Sequence, residues 1–491
     1  MPIRRPVVFD CVFRLSGFPT PFALPAGKEL LGMVFFLLGL WGILTGPLHT
    51  HFHPLQAEEP ARPRTFSPTA AMISSPPASK DSENLSEDAR RFSADAAKAP
   101  LVLLDAAPMG AALQSVVKEK FQFRTSDDKT LSASLDQFVR WGWPREFVRG
   151  PVVVLADGSL LVATVPRMAA MMVEVEPDLL EPKGQAVCRL PVGQAAGVVF
   201  RLPGEQTERD RLLDRLHRQP PEEDLLLLLN GDELRGRLET IEEKTLRFVG
   251  PLGPIAIDIS RIRAVQFRRL LPPASGPEGV RIWVGLRDGT LLLAQHLTVQ
   301  DAQAELTLPA GVSFQTDRDN LVFLQPIGNQ VVYLSDLAPK HYQFEPFFEM
   351  HWPWERDRSV TGNWLRSGGH RYLKGLGVHS KASLTYDLQG RYSRLEAELA
   401  LDDASGGQGS AVFRVLADGK EIYQSDPICG GDPPRSIRLD MAKVRQLELV
   451  VDYGPRGDQM DRANWLDARL IPATDVAPPA SSARPSGSGG L

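Results

Sequence analysis

Flat rings and carboxylates gather in the last third of this 491-residue chain. Trp352, Trp354, Trp364 and Tyr423 offer ring faces, while Asp402, Asp403, Asp461 and Asn464 offer planar polar groups. An aromatic face can cover the C–H side of a pyranose, and carboxylates or carboxamides can pair with its neighbouring hydroxyls. Placement in loops would make such residues available to a ligand. His379 has two readings, a buried or turn-stabilising imidazole and a contact with the same ligand. Trp465, between Asn464 and Leu466 in a closing strand, reads as a core plug. For Asp402, Asp403 and Asp461 the rival to ligand contact is a structural calcium ion, because carboxylates are hard-cation ligands. The segment "DDASGGQGS" from Asp402 lacks the regular Asp-x-Asp-x-Asp-Gly spacing of a calcium loop.

Other chemistry has less to stand on. In "HTHFH", His49, His51 and His53 alternate and would share one face of an extended chain, but they directly follow an apolar run that is itself a candidate for removal. Acidic pairs are frequent, yet no segment supplies a cleft that would hold two carboxylates for glycoside hydrolysis. Gly-x-Ser-x-Gly, His-Glu-x-x-His and phosphate-loop patterns are absent from the sequence. An enzyme is not expected. The cysteines are Cys11, Cys188 and Cys429; none has zinc or redox spacing, and Cys188 and Cys429 fall in what read as separate modules. Free thiols are favoured over a bond between them.

These residues need a scaffold, and length and composition bound it. A chain of this size exceeds one ordinary core and predicts several domains with linkers. A hydrophobic fraction of 43% supports real cores, and 41 Gly with 41 Pro favour turns over long helices. The formal net charge of −5 gives no general attraction to nucleic acid. Arg4, Arg5, Arg14 and Lys28 precede the uncharged run "LLGMVFFLLGLWGILTG", Leu30–Gly46. This run is at the lower limit for crossing a membrane and slightly long for a signal peptide. Residues 1–57 are therefore expected to be a signal peptide or a membrane anchor, with the remainder extracytoplasmic. Residues 58–100 and 473–491, rich in Ala, Pro, Ser and charge, read as a disordered linker and tail.

Between these flanks an internal echo recurs. "PVVVLADGSLLVATV" from Pro151, "DLLLLLNGDELRGRL" from Asp224 and "VRIWVGLRDGTLLLAQHL" from Val280 each give strand, Asp-Gly or Gly-Asp turn, strand. The second and third continue with further short strands, about five in fifty residues, the size of a small bent barrel. The expected modules are 101–203, 224–270 and 278–328. Residues 204–223 read as a bridging helix with Leu212, Leu213 and Leu216 on its apolar side, charges on a solvated face, and Pro220 and Pro221 ending it. "TLSASLDQFVRWGWP" reads as a short capping segment, with Trp141 and Trp143 in core or lid positions. The stretch "NGDELRGRLETIEEKTLRF" with "ISRIRAVQF" resembles the Sm-like small barrel. That resemblance implies RNA binding, which the acidic Glu239, Glu242 and Glu243 and the exported setting oppose.

From Val331 to Pro472 period-two alternation dominates. Leu384, Tyr386 and Leu388 share a face, as do Leu395, Ala397 and Leu399, opposite Glu396 and Glu398, and so do Leu447, Leu449 and Val451. Strands of this length joined by Gly/Asp turns predict an antiparallel sandwich. The segment also resembles, in order and spacing, the NPCBM family, a carbohydrate-binding module found attached to glycoside hydrolases. The matching elements are Gly375-x-Gly377-x-His379, Tyr386-x-Leu388-x-Gly390, Leu401-Asp402-Asp403, Val412-Phe413-x-Val415 leading to Asp418-Gly419, Tyr423-x-Ser425, and Asp461-x-x-x-Trp465-x-x-Ala468. The resemblance implies a galactose-binding-like jelly roll with sugar binding as its activity. The chain is thus expected to be mainly β: an N-terminal apolar segment, small β-barrel-like repeats, and a C-terminal sandwich at 331–472. The function expected is non-catalytic binding of a glycan or cell-surface polysaccharide. The alternative is a structural or protein-interaction protein of the cell envelope with no sugar site.

Overall fold

The computed structural model describes residues 99–473 except 148, 185–186, 269–278, 310 and 348–349. The anchor expected at 1–57, the histidines of "HTHFH", the linker up to Lys98 and the tail beyond Ala473 lie outside the described residues. Among the described residues no helix is long and apolar enough to cross a membrane.

From Pro100 to Ile327 the strands form one antiparallel hydrogen-bonded network of 22 members. Its pairings resolve into four successive copies of a single pattern, in which four strands run as a meander and the fifth returns to pair with the first. The first copy uses Pro100–Leu103, Met109–Val117, Lys120–Thr125, Thr130–Ser134 and Phe138–Gly142, closing with Leu101 opposite Trp141. The second uses Val152–Leu155, Leu160–Ala169, Met172–Pro177, Cys188–Pro191 and Ala195–Val199. The third uses Asp224–Leu228, Glu233–Glu242, Thr245–Gly250, Gly253–Asp258 and Ile262–Gln266. The fourth runs from Arg281–Leu286 to Leu321–Ile327, its second strand bent at Gln295. Returning strands then pair between copies, Val198 opposite Val265 and Phe323 opposite Gly142.

All three hairpins expected from Asp-Gly or Gly-Asp turns are present. The copy that the sequence does not announce is the first. Its opening turn, "LDAAP", carries no glycine, and its next turn places Lys118 and Glu119 in the left-handed region at φ of 50° and 61°. Ala170 and Met171 do the same in the second copy, and Asp301 and Ala302 in the fourth. Tight turns with this sense match the twist of the flanking strands, and side chains other than glycine adopt them here without a sequence signature. The expected capping segment is accordingly two strands of the first copy, with Trp141 in its core beside Phe121, Phe123 and Phe138.

Residues 332–472 form the two-sheet sandwich. One sheet runs Glu355–Arg356, Gly375–His379, Arg462–Pro472, Tyr392–Leu401, Arg435–Asp440, and the other His341–Phe344, Ala382–Asp387, Gln446–Tyr453, Ser410–Ala417, Lys420–Gln424. Leu384, Tyr386, Leu395, Ala397, Leu399, Leu447, Leu449 and Val451 all enter its core, as the alternation requires. Trp465 is fully buried there, edge-on to Phe413 at 5.1 Å. The glycines at 375 and 377 serve a strand rather than the turns expected. A Cβ on Gly377 would lie 2.3 Å from the Arg358 carbonyl oxygen and 2.5 Å from the Val360 nitrogen, so only glycine lets residues 358–360 cross the strand this closely.

The helix Gln206–Arg218 buries Leu212, Leu213 and Leu216 as expected, but its charges are not all solvated. Asp210, 1% exposed, takes a bidentate ion pair from Arg366 in the sandwich, and Asp214 takes Arg358 at 2.6 Å. The alternating Glu396 and Glu398 also face protein rather than water. Glu396 is buried and pairs with Arg469 at 2.7 Å, while Glu398 accepts from the Tyr372 hydroxyl at 2.7 Å and lies 3.5 Å from Arg140. Arg140, in the first barrel copy, also reaches Asp467 at 3.0 Å and lies flat on Trp143 at 3.6 Å. The outer face of one sandwich sheet is thus a charged seam against the barrel copies.

Candidate binding surface

Two groups of the expected site residues separate in space. Trp352, His379 and Asp461 come together at the end of the sandwich where the strand Gly375–His379 finishes. Trp364, Asp402, Asp403 and Asn464 lie along the short hairpin Leu365–Ser367/His370–Tyr372 and the seam.

In the first group the Trp352 indole lies parallel to the His379 imidazole, with centroids 4.9 Å apart and 4° between planes. Phe344 meets His379 edge-on at 6.4 Å and His351 edge-on at 5.3 Å. The Tyr342 hydroxyl donates to the Trp352 carbonyl at 2.6 Å, which fixes the backbone that carries the indole. His379 is 5% exposed, and its Nδ1 lies 2.8 Å from the Ser380 carbonyl oxygen. A carbonyl only accepts, so Nδ1 carries the proton and Nε2 is the acceptor of the neutral ring. Burial holds the imidazole below its ordinary pKa, with a smaller effect of Arg462 in the same direction. Beneath it, the Ser380 hydroxyl donates to Asp461 Oδ2 at 2.5 Å and the Ser410 N–H to Asp461 Oδ1 at 2.7 Å. Burial pushes the Asp461 carboxyl up to about 6, against those hydrogen bonds and assisted by the charge of Asp458. Residues the sequence reading did not single out complete the surface: His351, Phe344 and Tyr342. Their only signal was aromatic density between Tyr342 and Trp354.

The second group is occupied by structural contacts. Trp364 is 4% exposed, packs against Phe147 of the barrel region and is covered by the Arg371 guanidinium at 3.3 Å. Asp402 Oδ2 accepts from the Arg366 N–H and from Asn464 Nδ2 at 2.8 Å, and its Oδ1 accepts from the Ala404 N–H. Burial raises its pKa against these bonds. Asp403 accepts from the Gly368 and Gly369 N–H groups, both at 2.9 Å. All six carboxylate oxygens of Asp402, Asp403 and Asp461 therefore face protein donors, the opposite of a cation's ligand set. Among the described residues, no group of three or more His, Cys, Asp or Glu is arranged to hold a metal ion. Trp354 is half-buried against the sandwich core with Arg356 5.8 Å from its ring, and Tyr423 is half-buried on the edge strand Lys420–Gln424. Cys188 is buried, Cys429 half-buried, and both are free thiols.

Residues 330–471 match the NPCBM/NEW2 domain. A Renibacterium salmoninarum protein named as an endo-alpha-N-acetylgalactosaminidase is 27% identical over 36% of this chain and 13% of its own length. The alpha-1,3-galactosidase B of Akkermansia muciniphila is 28% identical over 23% of this chain and 14% of its own. The chain thus spans only about a seventh of these curated relatives. Among solved structures, the CBM51 of Clostridium perfringens GH95 in complex with methyl-galactose is 26% identical, covering 28% of this chain and 99% of that one at a TM-score of 0.26. The CBM51-2 and INT domains of Clostridium perfringens ZmpB, with GlcNAc, are 21% identical over 45% of this chain and 44% of that one, at a TM-score of 0.27.

Proposed function

We propose that the sandwich binds a neutral glycan on the Trp352 surface, within a non-catalytic, extracytoplasmic protein. The observation that carries this reading is the Trp352 indole laid flat on His379. With one ring face backed by imidazole, the other is held in a fixed plane, so little side-chain entropy is lost when a pyranose stacks on it. His379 in turn is fixed through Ser380 and Asp461. The Asp458 and Arg462 charges that act on His379 are suited to the hydroxyls of a sugar. The domain match supports carbohydrate as the ligand class. The apolar run Leu30–Gly46 after four basic residues supports export or anchoring.

Calorimetric titration of the full chain tests the reading. The relatives' names set the first panel, alpha-galactosides and N-acetylgalactosaminides. Wild type should bind at least one of them, and Trp352→Ala should weaken that binding at least tenfold, as loss of a stacking platform does. Binding that survives Trp352→Ala would overturn the assignment of the surface. Release of chromophore from nitrophenyl alpha-galactosides by the full chain would contradict the non-catalytic part.

A further inference from the structure

The end of the sandwich that carries Trp352 holds a second aromatic pair. Phe347 meets Tyr453 edge-on, with ring centroids 5.8 Å apart and 82° between planes. Tyr453 is the last residue of the strand Gln446–Tyr453 and pairs with Ala411. By alternation it shares the side of Leu449 and Val451, one step past the rim of the core they belong to. Phe347 is 57% exposed. An edge-on contact covers one ring face at most, so faces of this pair remain open to a ligand.

A short chain of contacts ties this pair to the Trp352 surface. The Tyr453 hydroxyl donates to the Glu345 carbonyl at 3.2 Å, and the Glu345 N–H donates to the Lys381 carbonyl at 2.9 Å. The Lys381 ammonium also pairs with the Glu345 carboxylate at 3.0 Å. Lys381 is two residues past His379, a backbone distance of about 7 Å at most. Phe347 and Trp352 are five residues apart on one segment, so no more than about 18 Å separates their backbones. Trp352 rests on His379 of one sheet, and Phe347 on Tyr453 of the other.

Asp458 is common to both pairs. It follows the turn Gly454–Gly457, in the loop that joins Gln446–Tyr453 to Arg462–Pro472. Its charge adds to burial in raising the Tyr453 phenol and opposes burial at the His379 imidazole, so the carboxylate is close to each. Asp458 is half-buried, and among the described residues its side chain takes no hydrogen bond or ion pair. An unoccupied carboxylate accepts from hydroxyls through both oxygens, which suits it to neighbouring sugar units on either side.

We propose that Phe347 and Tyr453 form a second sugar subsite beside Trp352, with Asp458 accepting hydroxyls between the two, so that the ligand is an oligosaccharide of at least two units. This inference rests on the reading of the Trp352 surface as the primary glycan site.

Calorimetric titration of the full chain with methyl alpha-galactoside and with alpha-1,3-galactobiose tests it. The disaccharide should bind about tenfold more tightly than the monosaccharide. Phe347→Ala and Tyr453→Leu should each remove that advantage and leave methyl alpha-galactoside within about twofold of wild type, whereas Trp352→Ala should weaken both sugars. Phe347 is exposed, so its truncation leaves the fold intact even where Tyr453→Leu does not. Equal affinities in wild type, or a disaccharide advantage that survives both substitutions, would overturn the second subsite and leave the Trp352 surface standing. Binding indifferent to Trp352→Ala, or no binding of either sugar, would remove that surface and the subsite with it.

Discussion

Asp461 is fully buried and nevertheless accepts two hydrogen bonds, and the conflict between desolvation and bonding leaves its carboxyl titrating at about 6. An unfolded Asp titrates near 3.8. A folded-state value above the unfolded one means that the protonated form is favoured by folding. The contribution is therefore complete below about pH 4 and is lost as pH rises through 6, by at most about 3 kcal/mol. Asp461→Asn removes this titration, so urea unfolding should show wild type losing stability relative to the variant between pH 4 and pH 7; a constant difference would refute the coupling. At this scale the sequence was readable where one residue had one job. Trp465 reads as core from its place in an alternating strand and is core. Trp364 and Asp402 read as loop ligands because alternation reports which face a side chain is on, not what covers that face, and here the cover comes from residues some 150 to 220 positions upstream or from a neighbouring hairpin.

At the scale of elements, the strand Gly375–His379 and the helix Gln206–Arg218 position the surface and the seam. Gly377→Ala forces a methyl group into the backbone of residues 358–360 and should cost about 3 kcal/mol, read as a lower urea midpoint; an unchanged midpoint would mean the crossing segment is free to move aside. Asp210→Ala removes the bidentate partner of Arg366, leaving it Glu146 alone, and should cost about 3 kcal/mol, with Arg366→Met in the same chain recovering part of the loss. No recovery in the double variant would show that the pair is not the source. The helix was legible from Leu212, Leu213 and Leu216, its terminus from Pro220 and Pro221, and the opening hairpins of three of the four barrel copies from their Gly-containing turns. The first copy was not, because Lys118 and Glu119 make a left-handed turn that no residue preference announces.

For the whole described molecule, the barrel copies and the sandwich share charges that neither could bury alone. Arg140 bridges to Asp467 and Glu398, and Arg366 bridges to Asp210 and Glu146. A fragment of residues 331–472 exposes this seam to water and should unfold at a lower temperature than the sandwich within the full chain; equal melting would show that the seam contributes nothing. Glycan binding is accordingly best measured on the full chain. The most direct test of the central claim uses fluorotryptophan in all eight tryptophans and follows ¹⁹F resonances as a binding glycan is added. The resonance that disappears in Trp352→Phe should shift most, and that of buried Trp465 should stay still. Movement at Trp364 or Trp354 with the Trp352 resonance unchanged would place the sugar elsewhere and contradict the account.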